Sequence, residues 1–278
     1  MIGSIIYKMS GSGNDFVFVD GRASKVADWL PERIRAVCDR HSGVGADGLV
    51  VVEPGSRPGA VRFHFFNNDG GRAAMCGNGA LCATRIAAYL ELANPAGMIL
   101  ETDAGAYQSR CLDGAGERAE LALGDIAAYS QPAVQLGAGE HLARLTRVGV
   151  PHLVVPVDDV AAVPLMERGR ALRSDRALAP DGANVNFVSP ARGEGPAWAM
   201  RTYERGVEGE TLACGTGAVA VAGCLALLGR ASLPLEVRTA SGRVLCVSGM
   251  PSPAGVRQAK LAGEGRLVFR SVLGDVTG

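Results

Sequence analysis

The chain lacks net charge: 28 Lys and Arg stand against 28 Asp and Glu in 278 residues. No electrostatic footprint recruits nucleic acid or an anionic membrane, so a small molecule is the default ligand. Lysine is scarce. Lys8, Lys25 and Lys260 are the whole set, and none lies in a turn suggesting a Schiff base, which counts against pyridoxal phosphate. The seven cysteines include no C-x-x-C pair, and their odd number fits reduced thiols better than a disulfide framework. Cys76 and Cys82 have the wrong spacing for zinc, with no histidine near in sequence, so neither a metal nor a cofactor is expected. The segment from Met1 to Lys8 lacks the basic start, apolar core and small-residue site of a secretory signal, and a cytoplasmic protein is expected. Low-complexity and collagen-like runs are missing too. The 38 glycines, about twice the ordinary share of roughly 7%, therefore mark turns and close approaches of backbone to backbone or ligand.

What is present is a repeat. Cys76-Gly77-Asn78-Gly79-Ala80 recurs half a chain later as Cys214-Gly215-Thr216-Gly217-Ala218. The same offset carries Val19-Asp20 onto Val157-Asp158. An offset one residue shorter carries Gly45-Ala46-Asp47 onto Gly182-Ala183-Asn184, and Thr102 and Gly105 onto Thr239 and Gly242. The spacing predicts two duplicated lobes, 1–126 and 127–265, with a polar linker at 127–140 and a C-terminal strand within 266–278 folding back to complete the first lobe.

Short β-branched and aromatic runs bounded by Gly, Pro, Asn and Asp predict strands at 16–19, 49–52, 62–66, 153–155, 186–188 and 198–203. Helical spacing predicts one helix over 31–40 and one after each cysteine motif. The uncharged run 211–229 reaches the length of a membrane span, but its glycines, its threonines and its shorter twin after Cys76 predict a helix buried on all sides in a soluble domain. The expected fold is α+β: two pseudo-symmetric lobes, each a mixed sheet wrapped around a central apolar helix, with the active site in the cleft between them.

A cysteine at a helix entrance sits among free backbone N–H groups at the positive end of the dipole, and both favour the thiolate. Flanking glycines let those N–H groups point at a substrate carboxylate. Two such thiols on opposite sides of one α-carbon would remove a proton from one face and deliver one to the other, inverting the centre. Cys38, Cys82, Cys111, Cys224 and Cys246 are read as small buried hydrophobes, and His41, His64 and His141 as structural.

Ordered blocks along the whole chain resemble the diaminopimelate epimerase family. They run from Gly13-Asn14-Asp15-Phe16-Val17 through Arg40-His41-Ser42-Gly43-Val44-Gly45-Ala46-Asp47 and Met75-Cys76-Gly77-Asn78-Gly79 to Tyr203-Glu204-Arg205-Gly206 and Ala213-Cys214-Gly215-Thr216-Gly217. The resemblance implies a cofactor-independent epimerase that interconverts LL- and meso-diaminopimelate on the route to lysine and peptidoglycan. It makes Cys76 and Cys214 the acid/base thiols, with His152 and Glu204 as further catalytic candidates. The reacting carboxylate would meet the turns of Gly77, Asn78, Gly215 and Thr216. The distal amino-acid end would be held by Asn14, Asn67, Asn184, Glu204 and Arg205. A homodimer is also implied.

The chain departs from the family pattern at Val150, where many members have Asn before Pro-His, and at Gly48, where some have Gln. Each change removes an amide that could touch the ligand. A two-cysteine racemase of the proline or hydroxyproline type remains an alternative, although a substrate with one amino-acid end has no use for a second clamp. A duplicated amino-acid-binding protein is another, but it would need no thiols.

Overall fold

In the computed structural model, which describes residues 3–113 and 117–276, the first unit runs through β1 (Ile5–Gly11), β2 (Asn14–Asp20), α1 (Pro31–Cys38), β3 (Gly48–Pro54), β4 (Ala60–Asn67), β5 (Arg72–Ala73), α2 (Gly77–Tyr89), β6 (Met98–Thr102), β7 (Gly105–Cys111) and the start of β8 (Arg118–Ala127). The second unit comprises β9 (Arg144–Val148), β10 (Val150–Pro156), α3 (Leu165–Arg173), β11 (Asn184–Pro190), β12 (Trp198–Glu204), β13 (Gly209–Thr211), α4 (Gly215–Leu227), β14 (Leu235–Arg238), β15 (Val244–Ser252) and most of β16 (Gly255–Glu264). The chain then returns to the first unit as β17 (Arg266–Val272), antiparallel to β1. The architecture is α+β, a mixed sheet with few helices.

The sequence repeat is a repeat of topology. Antiparallel β1–β2, parallel β2–β3, antiparallel β3–β4, antiparallel β4–β5, parallel β4–β6 and antiparallel β6–β7 follow one another in the first unit. The second unit repeats that order in β9–β10, β10–β11, β11–β12, β12–β13, β12–β14 and β14–β15.

Strand alternation gives each sheet two buried faces. In the first unit Val17, Val19, Leu49, Val51 and Phe66 pack with Trp29 and with Ile34 and Val37 of α1. Their neighbours Phe16, Phe18, Val50, Val52, Phe63 and Phe65 point to the other face and are also buried. There α2 meets β1, β2, β3, β4, β6, β7 and β17, so the sheet curls round it. The second unit is layered alike. Leu153, Val155, Val185, Phe187 and Tyr203 pack with Leu165 and Leu172 of α3, while α4 lies against β9, β10, β11, β14 and β15. This enclosure explains the uncharged run: α4 is a 13-residue helix in which every residue from Gly217 to Leu225 is buried. Among the described residues no helix is long and apolar enough to cross a membrane.

Two local expectations change. The helix over 31–40 ends at Cys38, because the Asp39 carboxylate accepts hydrogen bonds from the backbone N–H groups of His41 and Ser42 and turns the chain out of the helix. The chain passes between units inside β8, at Leu121–Ala122, and back inside β16, at Leu261–Ala262. The polar stretch 127–140 is bound along the second unit: Tyr129 donates to Ala220 O of α4 at 2.7 Å, and Glu140, its side chain 4% exposed, pairs with Arg168 of α3 at 2.8 Å.

Gly169 of α3 lies against Tyr203 of β12, and a Cβ added there would sit 2.5 Å from the Tyr203 Cβ. Alanine favours a helix by about 1 kcal/mol over glycine, but forced overpacking costs about 1–3 kcal/mol. Gly169→Ala is expected to lower stability in urea unfolding; a variant more stable than the parent would show that α3 does not rest on Tyr203.

Candidate active site

Both motif cysteines cap helices. Cys76 precedes α2 with an extended backbone, and its sulfur accepts the Gly79 N–H at 3.5 Å. Cys214 precedes α4 in the same way, accepting the Gly217 N–H at 3.4 Å, with Thr216 Oγ1 3.7 Å from its sulfur. Gly77 and Gly215 open the two helices and are buried, and neither first turn holds an acidic residue. Each sulfur thus sits where backbone N–H groups and the helix dipole favour negative charge. The other buried thiols differ. Burial pushes Cys38 and Cys224 up to about 12 and Cys82 well above the ordinary range, which keeps them protonated and unreactive.

In the first unit α2 is tied to the start of β2. Asn78, 2% exposed, donates to Asn14 Oδ1 at 2.7 Å, and Asn14 Nδ2 donates to Asp47 at 3.0 Å. Arg40 joins Asp47 at 2.6 Å and Asp15 at 2.8 Å, and Lys8 reaches Asp15 at 2.5 Å as well as the Gly45 carbonyl. Burial works to raise the Asp15 carboxyl, but hydrogen bonds from Arg40 and Lys8 prevail and hold it below the usual range. With a donor on one side and an acceptor on the other, the Asn14 amide has a fixed orientation. Asn67 ends β4 opposite Gly48, and the next residue's N–H bonds Asp47 O at 3.2 Å, so Asn67 borders the same cluster.

The second unit gathers its candidates on β10, β11, β12 and α4. His152 pairs with Asn184 across the parallel β10–β11 ladder, and Asn184 Oδ1 accepts the Arg205 backbone N–H at 2.8 Å. Arg205 Nη1 donates to Asp181 O at 3.2 Å, and both Glu204 and Arg205 are half-buried at the end of β12. His152 is fully buried, and its pKa is pushed down to about 3, by burial first and then by the positive charge of Arg205. The ring is therefore neutral near pH 7.

Several residues in these clusters escaped sequence reading. Asp47, Arg40 and Lys8 support Asn14, while Asn186 lies beside His152 and accepts from Thr202. One signal was present: Asn184 and Asn186 place two amides on one face of a strand whose only other polar residue is Ser189. The absence of a side chain at position 48 is also explained. A Cβ there would lie 2.5 Å from Phe66 O and 2.7 Å from the Phe65 ring, so Phe65 already fills the space.

The model of the family described as diaminopimelate epimerase matches residues 6–125 and 144–248. A diaminopimelate epimerase of Gemmatimonas aurantiaca is 45% identical, over 98% of this chain and 98% of its own. That of Aquifex aeolicus is 40% identical, covering 87% and 88%, and that of Archaeoglobus fulgidus 41%, covering 84% and 86%. Among solved structures, a Bacillus anthracis phenazine biosynthesis protein of the PhzF family aligns with a TM-score of 0.71 at 15% identity, over 98% of this chain and 99% of that one. A hydroxyproline epimerase from Agrobacterium vitis aligns at 0.66 and 18%, over 97% and 92%. At those identities the likeness is one of fold alone.

The twin glycines differ in their surroundings. A Cβ on Gly79 would meet Cys76 Cβ at 3.4 Å and the Phe63 ring at 3.5 Å, ordinary contacts, whereas one on Gly217 would lie 2.3 Å from Asn186 Oδ1. Gly79→Ala is expected to be neutral or to stabilise by up to about 1 kcal/mol, and Gly217→Ala to cost about 1–3 kcal/mol. Parallel urea melts of the two variants check this; equal effects would mean that Asn186 does not press on α4.

Proposed function

Because the chain belongs to the diaminopimelate epimerase family, we propose that it interconverts LL- and meso-2,6-diaminopimelate without a cofactor, in the synthesis of lysine and peptidoglycan precursors. The observation that carries this reading is the pair of cysteine sulfurs, each capping the buried helix of its own unit with the same extended backbone and the same N–H contact three residues on. Two equivalent groups suit a reaction whose substrate and product are related by inversion.

In this mechanism Cys76 and Cys214 address opposite faces of the α-carbon. The thiolate of one takes the α-hydrogen as a proton, and the thiol of the other supplies a proton from the far side. Charge developing on the α-carboxylate is met by N–H groups of the turns at Gly77, Asn78, Gly215 and Thr216, fixed dipoles that need no reorganisation. His152 and Glu204 border the reacting centre. At the distal end the planar guanidinium of Arg205 suits the second carboxylate, while Glu204 and the amide oxygens of Asn14, Asn67 and Asn184 suit the ammonium. Gly48 and Val150 contribute no amide, so recognition there falls to the remaining residues or to water. A substrate with one amino-acid end would leave that clamp unused, which supports diaminopimelate over proline-type substrates. A cytoplasmic location fits the same reading.

Incubation with LL-diaminopimelate in D2O is expected to yield meso product carrying deuterium at the inverted carbon, while a binding protein would leave the hydrogen in place. Cys76→Ala and Cys214→Ala should each reduce turnover by at least about 10²–10⁴. Near-normal rates in either variant would refute the two-thiol assignment.

A homodimer is part of the proposal, supported by large apolar side chains exposed on the β17–β1 ladder: Val268, Phe269, Val272 and Ile5. Light scattering after gel filtration is expected to give twice the chain mass, and Phe269→Glu to shift it toward the monomer. A monomeric parent protein at micromolar concentration would remove this part of the reading.

A further inference from the structure

Asn186 lies on β11 with no exposure to solvent, and each end of its amide is committed. Its Nδ2 donates to Leu153 O at 3.1 Å and lies 3.4 Å from Asn184 O, so the nitrogen must face β10. The reversed amide would set an oxygen against two carbonyls. Its Oδ1 accepts from Thr202 Oγ1 at 3.0 Å on β12. The same Nδ2 stands 3.3 Å from His152 Nδ1. An amide nitrogen only donates, so Nδ1 must be the accepting nitrogen, and the ring proton is left to Nε2.

That Nε2 is buried and has no hydrogen-bond partner among the described residues. A buried donor without an acceptor costs about 1–3 kcal/mol. Such a cost is sustained where a ligand brings the acceptor. Asn186 also reaches the thiol cap, since its Oδ1 occupies the space beside Gly217, one turn from Cys214.

We propose that Asn186 is a positioning residue that holds His152 as the Nε2–H tautomer, so that His152 offers the substrate a hydrogen-bond donor and takes no part as a base. Proton transfer is thereby left to the two thiols. The catalytic half of this statement rests on the epimerase reading, whereas the tautomer does not.

The test is 15N NMR of protein labelled at histidine, with His152→Gln used to assign the ring. The parent protein is expected to show a pyrrole-type Nε2 and a pyridine-type Nδ1 for His152. Asn186→Asp, which puts an acceptor beside Nδ1, should move the proton to Nδ1 and lower turnover of LL-diaminopimelate by about 10–100-fold, the worth of a hydrogen bond to a developing charge. A role confined to packing would lower stability and leave the tautomer unchanged. A parent ring protonated at Nδ1 overturns the proposal, as does a variant that keeps the parent tautomer. Should the variant fail to fold, the parent spectrum decides the tautomer, and Thr202→Val, which frees the amide from its oxygen side, is expected to give a mixture of both forms; an unmixed Nε2–H form there would overturn the role of Asn186. A protein with the expected tautomer and no epimerase activity would sink the functional reading and leave the positioning role standing.

Discussion

A sulfur atom where a helix ordinarily takes an oxygen is the constraint from which the rest follows. The first N–H groups of a helix need an acceptor, and serine or aspartate at that position supplies a strong one. In α2 and α4 the acceptor is a cysteine sulfur at 3.5 and 3.4 Å, a weaker partner. The helices must therefore be stabilised by packing rather than by their caps. Both are: each buries ten of its 13 residues, most of them small or apolar, and the sheet of each unit curls round its helix. Packing that encloses a helix also removes the option of a charged first turn, which leaves the positive dipole end to the thiol and to whatever anion approaches it. Gly217 belongs to the same economy, because the close approach of β11 to α4 leaves no room for a methyl group.

This constraint was legible in the sequence at the level of pattern. Two cysteines followed by glycine-spaced small residues, half a chain apart, predict two helix entrances and two buried helices, and the short β-branched and aromatic runs predict the strands that wrap them. The pattern did not reveal which polar residues inside those sheets are tied to one another. Nothing along the chain around Lys8 announces that folding brings Asp15 and the Gly45 carbonyl to its ammonium. Asn186 reads as one more polar residue in a loop-flanked strand until β10 and β12 arrive on either side of it. Asn186 meets its partners across 16 and 34 residues and Lys8 meets the Gly45 carbonyl across 37, and a period of two along a strand carries no information about what lies across it. The end of α1 escaped for a local reason: Asp39 and Arg40 suit the polar face of a helix, but the Asp39 carboxylate offers the backbone a competing set of hydrogen bonds.

The duplicated units solve the same problem with different chemistry. Asp47 in the first unit and Asn184 in the second occupy corresponding places after the Gly-Ala step, and each holds the neighbouring strand through its side-chain oxygen. In the first unit the partners are ions. Arg40 is 55% exposed on its side chain, whereas Lys8 and Asp15 are 11% and 23% exposed, so the network is partly buried and its close charge-assisted hydrogen bonds offset the desolvation. In the second unit His152 and Asn186 have no exposure at all, and an ion pair in that place would carry the full cost of removing two charges from water. Neutral amides, a hydroxyl and a neutral imidazole satisfy one another there instead. The twins thus differ in charge as well as in depth of burial. A charged network that keeps Arg40 in contact with water orients Asn14, and an uncharged one orients the ring of His152.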